Sequence, residues 1–251
     1  MKIYYCILVA LLLNFMVSCE IVQETEFNRN GSGTYSLGFD MSEMMKMGMN
    51  SNKPGVKKQM DTVIDFSQFL EDEKDSIAKL SREERKKLEA LKDFSLSIKM
   101  DSISNRYEFK IDYSFKNITD LHRFGDKLKD QNIEDLNFLD NKSGNSKQSE
   151  KMLDLNKGYI TVFNKRHFST KMSEEAILES EKSRDTTLTE DSPMANLIRF
   201  KSVYKFPYKI KSVDNVNAKI SSDFKSVEIY GNAYDMNSNP RYYDLEIDFE
   251  R

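Results

Sequence analysis

Two runs of strictly alternating apolar residues constrain this chain more than any other feature. Phe94, Leu96, Ile98 and Met100 are separated by Ser95, Ser97 and Lys99. Tyr107, Phe109, Ile111, Tyr113 and Phe115 are separated by Glu108, Lys110, Asp112 and Ser114. Successive strand side chains point to opposite faces, so this period of two predicts strands buried on one face and wet on the other. The polar stretch Asp101–Asn105 between the runs predicts a turn, and the whole a long antiparallel hairpin.

The same reading extends outward. Tyr35, Leu37 and Phe39 alternate after Asn28-Arg29-Asn30-Gly31-Ser32-Gly33, whose Asn and Gly residues tolerate positive φ, so residues 21–40 form a second hairpin. A short helix is expected over Met41–Met49, ended by Pro54-Gly55, then a strand over Met60–Phe66. Ser67–Lys92 reads as helix, with a capping-box spacing at Ser81 and Glu84 and an apolar stripe of Ile77, Leu80, Leu88 and Leu91. Asn117 or Thr119 caps a helix carrying Leu121, Phe124 and Leu128. Asn141–Glu150 is polar and aperiodic, a surface loop or linker. A third hairpin is expected at Gly158–Phe163 and His167–Met172, then an acidic helix over Ser173–Arg184. Strands follow over Phe200–Val213, Val227–Tyr234 and Tyr242–Phe249, with a turn at Asn237–Pro240. Strand pairs interrupted by helices, without a βαβ rhythm, give an α+β fold of antiparallel β-hairpins and sheet with covering helices. The expected organisation is a signal peptide over 1–18 and one α+β extracytoplasmic domain over 19–251, open to subdivision near 141–150.

The N-terminal expectation rests on Lys2 and the apolar stretch Ile3–Met16. That stretch is shorter than the ~20 residues of a membrane span, and fits a signal peptide. Ordinary secretory cleavage after Ser18 would put Met16 at −3, a poor fit. Met16-Val17-Ser18-Cys19 instead resembles a bacterial lipobox, which implies that Cys19 is acylated, palmitate included, and becomes the first mature residue. Two or three acyl chains anchor a protein stably where one is marginal. The chain has 2 cysteines; with Cys6 in the signal peptide and Cys19 acylated, neither a disulfide nor a thiolate metal site is expected. A formal net charge of −3 argues against a nucleic-acid partner, which calls for a concentrated basic footprint.

Chemistry-bearing motifs are sparse. His122 falls in an expected helix and His167 in an expected strand, neither with a partner at a useful spacing. No G-x-S-x-G, P-loop or G-x-G-x-x-G sequence occurs. No catalytic residue and no cofactor is therefore expected; the alternative kept open is a hydrolase without a recognisable motif. Glu71-Asp72-Glu73 lacks the ligand spacing of a calcium loop. Met41, Met44, Met45, Met47 and Met49 form a cluster that reads as adaptable packing or contact surface, or alternatively as thioether ligands of a periplasmic Cu(I) carrier. Tyr107, Tyr113, Tyr208, Tyr230, Tyr234, Tyr242 and Tyr243 read as ordinary strand composition, or as a ligand or partner face.

The lipobox resembles that of bacterial lipoproteins generally. Glu20 differs from the Asp that signals inner-membrane retention in enterobacterial sorting, which implies the outer membrane, periplasmic or surface-facing. Gly31-Ser32-Gly33-Thr34-Tyr35, Asp40-Met41-Ser42 and Phe206-Pro207 resemble a group of uncharacterised Bacteroidota envelope lipoproteins. A more distant topological likeness is to LppM-type lipoproteins, which implies a β-rich domain after the anchor and binding of lipid. In the Bacteroidota group, Asp61-Thr62-Val63, Asp75-Ser76-Ile77, Asp101-Ser102-Ile103 and Asp185-Thr186-Thr187 resemble O-glycosylation triplets. The resulting expectation is a non-catalytic, lipid-anchored binding or assembly module, for lipid or for an envelope protein. A closed apolar cavity behind the Phe94–Phe115 hairpin would favour lipid, a large exposed apolar patch around Met41–Met49 a protein partner, and converging thioethers a metal.

Overall fold

The computed structural model describes residues 19–46, 59–129 and 158–250. The signal-peptide segment, Pro54-Gly55 and the 141–150 stretch lie outside the described residues.

The first hairpin is β1 (Cys19–Phe27) with β2 (Gly33–Asp40). Its turn closes through Asn28 N–H to the Ser32 carbonyl at 2.7 Å, with Gly31 at φ +84°. Only a residue without Cβ adopts that φ cheaply. Gly33 answers to a different constraint, because a Cβ there would lie 1.9 Å from the Glu26 carbonyl oxygen and 2.5 Å from the Phe115 ring. After β2 comes α1 (Ser42–Lys46), then β3 (Gln59–Asp65). The central hairpin is β4 (Phe94–Asp101) with β5 (Arg106–Phe115), in a register that pairs Ile98 with Phe109 and Met100 with Tyr107.

Between β3 and β4 the expected long helix is three short ones: α2 (Phe66–Asp72), α3 (Lys74–Ile77) and α4 (Arg82–Ala90). Ser81 makes the expected capping box with Glu84, and the extended backbone this demands, ψ 158°, ends the helix before it. None of the three helices buries a residue; Leu91, just beyond them, does. The apolar stripe is therefore mostly wet.

Asn117 caps α5 (Ile118–His122), and α6 (Phe124–Lys129) follows. Leu121, Phe124 and Leu128 are all buried, as their spacing predicts. The third hairpin is β6 (Tyr159–Phe163) with β7 (His167–Met172), followed by α7 (Glu174–Lys182) capped by Ser173.

The C-terminal part differs most from expectation. Pro193 opens a helix, α8 (Pro193–Leu197), suited to that position because proline lacks the N–H a first helical turn leaves unpaired. The Phe200–Val213 run splits at Phe206-Pro207 into β8 (Ile198–Lys205) and β9 (Ile210–Val213), which join different sheets. After β10 (Ala218–Ile220), β11 (Ser226–Asn232) stops where Asn232 and Asp235 form a capping box, so Ala233 and Tyr234 belong to α9 (Ala233–Ser238), not to a strand. Tyr242 and Tyr243 lie in a turn, and β12 begins at Leu245 and runs to Phe249.

The strands form an eight-stranded sheet, order β10-β11-β8-β1-β2-β5-β4-β3, and a four-stranded sheet, order β6-β7-β12-β9. Among the described residues, all strand pairings are antiparallel except that of β1 with β8. The fold class is α+β. A parallel neighbour needs a crossover, and here everything between β2 and β8 supplies it.

One aromatic cluster joins the two sheets. Phe27 of the larger sheet packs on Phe163 at 4.6 Å and Phe168 at 5.4 Å from the smaller, and on Phe115 at 5.7 Å within its own. Phe206, in the link between β8 and β9, touches Phe168 and Phe249 at 5.0 Å each. Phe27→Ala should cost about 3–5 kcal/mol in urea unfolding, the usual range for a buried Phe. Because Phe27 touches both sheets, probes of β5 and of β7 should shift together; a shift confined to one would show that the sheets unfold separately.

Candidate functional site

The core face of the larger sheet is covered unevenly. At one end, the aromatic side chains of the smaller sheet lie on the rows containing Phe27 and Phe115. In the middle, Phe124 packs on Phe94 and Tyr35, and Leu128 meets Leu96 and Ile111 around a void of only about 20 Å³. At the far end, a groove of about 430 Å³ remains among the described residues. It is lined mainly by Met41, Met60, Ile98, Met100, Tyr107 and Phe109.

Strand register builds this groove. Thr62 pairs with Ile98, Ile98 with Phe109, Phe109 with Phe39, and Phe39 with Ile21, so all five share one face. Two residues along each strand, Met60 pairs with Met100 and Met100 with Tyr107. Met41 N–H donates to the Tyr107 carbonyl at 2.9 Å, and Tyr107 N–H donates to Ser42 Oγ at 3.0 Å. These two bonds fix the start of α1 against β5 and make Met41 a wall. Phe109 is buried, while Met60, Ile98, Met100 and Tyr107 are half-buried. Lys99 and Glu108, paired across the same strands, alternate with these residues, so their side chains project to the opposite face of the sheet. Such a volume with an apolar lining and few polar groups fits an apolar chain, within the ~300–1,000 Å³ usual for ligand sites. It lies behind the Phe94–Phe115 hairpin.

Cys19 opens β1 beside this region and is 5% exposed. It pairs with Ile198 of β8, and Glu20 pairs with Asp40. Burial, with the nearby Asp40 and Glu20 carboxylates, pushes its thiol up from 9.0 to about 11. Among the described residues it is a free cysteine.

Of the five clustered methionines, Met41 lines the groove. Nothing is described for the side chains of Met44 and Met45, and Met47 and Met49 lie outside the described residues. Met60 and Met100 were missed by sequence reasoning as groove residues; alternation placed Met100 on the core face, while Met60 was expected only to open a strand. The described residues hold no cluster of His, Cys, Asp or Glu arranged for a metal ion.

The histidines do not come together. His122 is half-buried in α5. His167 lies on the smaller sheet, Nδ1 3.3 Å from Asp248 and Nε2 3.9 Å from Glu246, and Glu246 also pairs with Lys171. The tyrosines disperse too. Tyr242 donates to the Tyr230 carbonyl at 2.8 Å and Tyr243 to the Phe200 carbonyl at 3.2 Å, so both brace the chain. Burial pushes the Tyr243 hydroxyl well up. Tyr230 receives Lys201 over its ring at 5.1 Å. Tyr107 alone of the seven lines the groove.

A second, polar cleft surrounds Lys127. Its Nζ is 2.5 Å from Tyr113 Oη, 3.1 Å from Asp120 and 3.7 Å from Asp93. Burial, then the Asp120 carboxylate, pushes the Tyr113 hydroxyl far up. Burial works against ionised Asp120, yet bonds from the Lys116 amide, Lys127 and Tyr113 keep its carboxyl below the ordinary range. Lys127 thus answers both carboxylates and the network ties α5 and α6 to β5, while Lys92, Lys116 and Arg123 add further positive charge to the lining. In the acceptor triplets, Thr62, Ser76 and Thr186 are exposed and Ser102 is half-buried.

No protein-family model matches the chain, and no curated protein matches it. Among solved structures, it is similar to the folded domain of the Mycobacterium tuberculosis LppM protein, determined by NMR. The TM-score is 0.38 at 9% identity, over 92% of this chain and 89% of that one. The fold class rests on the strands and helices described above.

The raised Cys19 thiol has a direct consequence. Between pH 9.0 and about 11 the unfolded chain ionises there and the folded chain does not, so stability should fall as pH rises through that window. In full chain that has not been acylated, alkylation of the Cys19 peptide by iodoacetamide, followed by mass spectrometry, should show a midpoint near pH 11, returning to about 9 in urea. A midpoint near 9 in the folded chain would mean that Cys19 is accessible.

Proposed function

We propose that this protein is a lipid-anchored component of a bacterial cell envelope, acylated at Cys19, and that it binds an apolar chain without catalysing a reaction. The groove of about 430 Å³ between Met41 and the β3–β4–β5 edge carries the binding part of this reading. The lipobox Met16-Val17-Ser18-Cys19 supports the anchor, and Glu20 supports the outer membrane. The dispersed histidines support a non-catalytic role.

Two measurements test it. Expressed as full chain in a Gram-negative host, the natural sequence should fractionate with membranes at the mass of a diacylglyceryl or triacyl form beginning at Cys19. Cys19→Ala should remain an unacylated precursor; a mature, membrane-held Cys19→Ala protein ends the anchor reading. For the groove, full chain carrying Cys19→Ala should bind an apolar naphthylamine dye with fluorescence gain. Adding Ile98→Glu should weaken that binding about tenfold, equivalent to ~1.4 kcal/mol. Equal affinity would remove the groove as the site.

One observation favours a second reading. Met41, Met60 and Met100 bring three thioethers to the same groove, a soft donor set suited to Cu(I). Sub-micromolar Cu(I) uptake in competition with a chromophoric chelator, lost in Met60→Leu with Met100→Leu, would support it; no uptake ends it.

A further inference from the structure

The register of the larger sheet connects the two features that the proposed function treats separately. Ile21, Phe39, Phe109 and Ile98 are direct neighbours across β1, β2, β5 and β4. Cys19 is two residues before Ile21, so it shares that face, and its side chain is buried like that of Ile21. Continuing the β1–β2 register one residue beyond the Glu20–Asp40 pair sets Cys19 opposite Met41, the near wall of the groove. Cys19, Met41, Tyr107, Met100 and Met60 therefore form one row across the sheet.

Resting on the acylation of Cys19, we propose that the groove houses one acyl chain of the protein's own anchor. Length supports this occupant. Three strand spacings from Cys19 to Met100 come to ~14 Å, and four to Met60 to ~19 Å, at ~4.8 Å each. One leaflet of a ~30 Å hydrocarbon core is ~15 Å deep, so a membrane acyl chain has the reach to lie along this row. Direction supports it too, because the Cys19 sulfur is already on the apolar face, and a chain attached there enters the groove past Met41 without crossing the polar side of the sheet. A free lipid lacks this attachment and must diffuse to the groove. Binding of its own chain is intramolecular, which raises the effective concentration far above that of a free lipid. With one chain housed, fewer remain in the bilayer, and each buried CH₂ withdrawn weakens the anchorage.

The test uses full chain made in a host fed a diazirine-bearing fatty acid, with intact mass measured before irradiation. Irradiation should join the Cys19 peptide covalently to peptides containing Met60, Met100 or Tyr107 in the same molecule. Ile98→Glu should lower that cross-link at least fivefold with the acyl mass unchanged, and a circular-dichroism melt confirms that the variant is folded. No acyl mass at Cys19 means that the anchor reading has failed, and this inference with it. Acyl mass present but no cross-link into the groove overturns the inference alone. Groove peptides carrying a free fatty acid or phospholipid, with none joined to Cys19, also overturn it and assign the groove to membrane lipid. Cross-linking unaffected by Ile98→Glu would show that the chain lies elsewhere.

Discussion

The packing of Phe27 between two sheets is the contact on which the rest of this molecule depends. Its ring meets Phe163, Phe168 and Phe206 on one side and Phe115 on the other. Aromatic pairs at such separations contribute beyond their buried area, and the chain has neither tryptophan nor, among the described residues, a disulfide to share the task. Gly33 makes the arrangement feasible, since any side chain there would collide with the Phe115 ring. Because the smaller sheet is held at this end of the larger one, it does not extend over the Ile98 and Met100 rows at the other. The groove is a consequence of where the aromatic clamp sits.

That geometry links anchor and groove. A lipobox states only that a cysteine receives lipid. In this fold, the cysteine is also the first residue of a strand whose buried face runs directly toward the open end of the sheet. A thiol held in an apolar setting with the Asp40 and Glu20 carboxylates nearby is a poor nucleophile, so the proposed acylation would have to precede closure of the strand on it. The polar cleft at Lys127 is the contrasting case: Lys127 pairs with both Asp93 and Asp120, and these bonds fasten the helices that cover the middle of the sheet.

The differences from sequence expectation have local causes. Ser81, Asn232 and Pro193 each start a helix, and each changes what precedes it: an expected continuous helix breaks, a strand stops short, a further helix opens. The capping signal at Asn232 was present in the sequence, but apolar alternation through Tyr234 outweighed it; around Pro193 no element was expected between Arg184 and Phe200. Pro207 was visible as well, though nothing local says that the strands on its two sides enter different sheets.

Alternation alone determined the three hairpins, the buried faces of their strands, and the α+β class, because period two reports burial directly. It also put Ile98, Met100 and Tyr107 on a core-facing side. Only the tertiary structure decided which part of that face is filled. Cover depends on contacts between residues far apart in the chain, such as Phe27 with Phe206 and Phe94 with Phe124. The parallel pairing of β1 with β8, which continues the row of Cys19 to Ile198, is likewise invisible to any local pattern, since parallel neighbours are joined only through a long crossover.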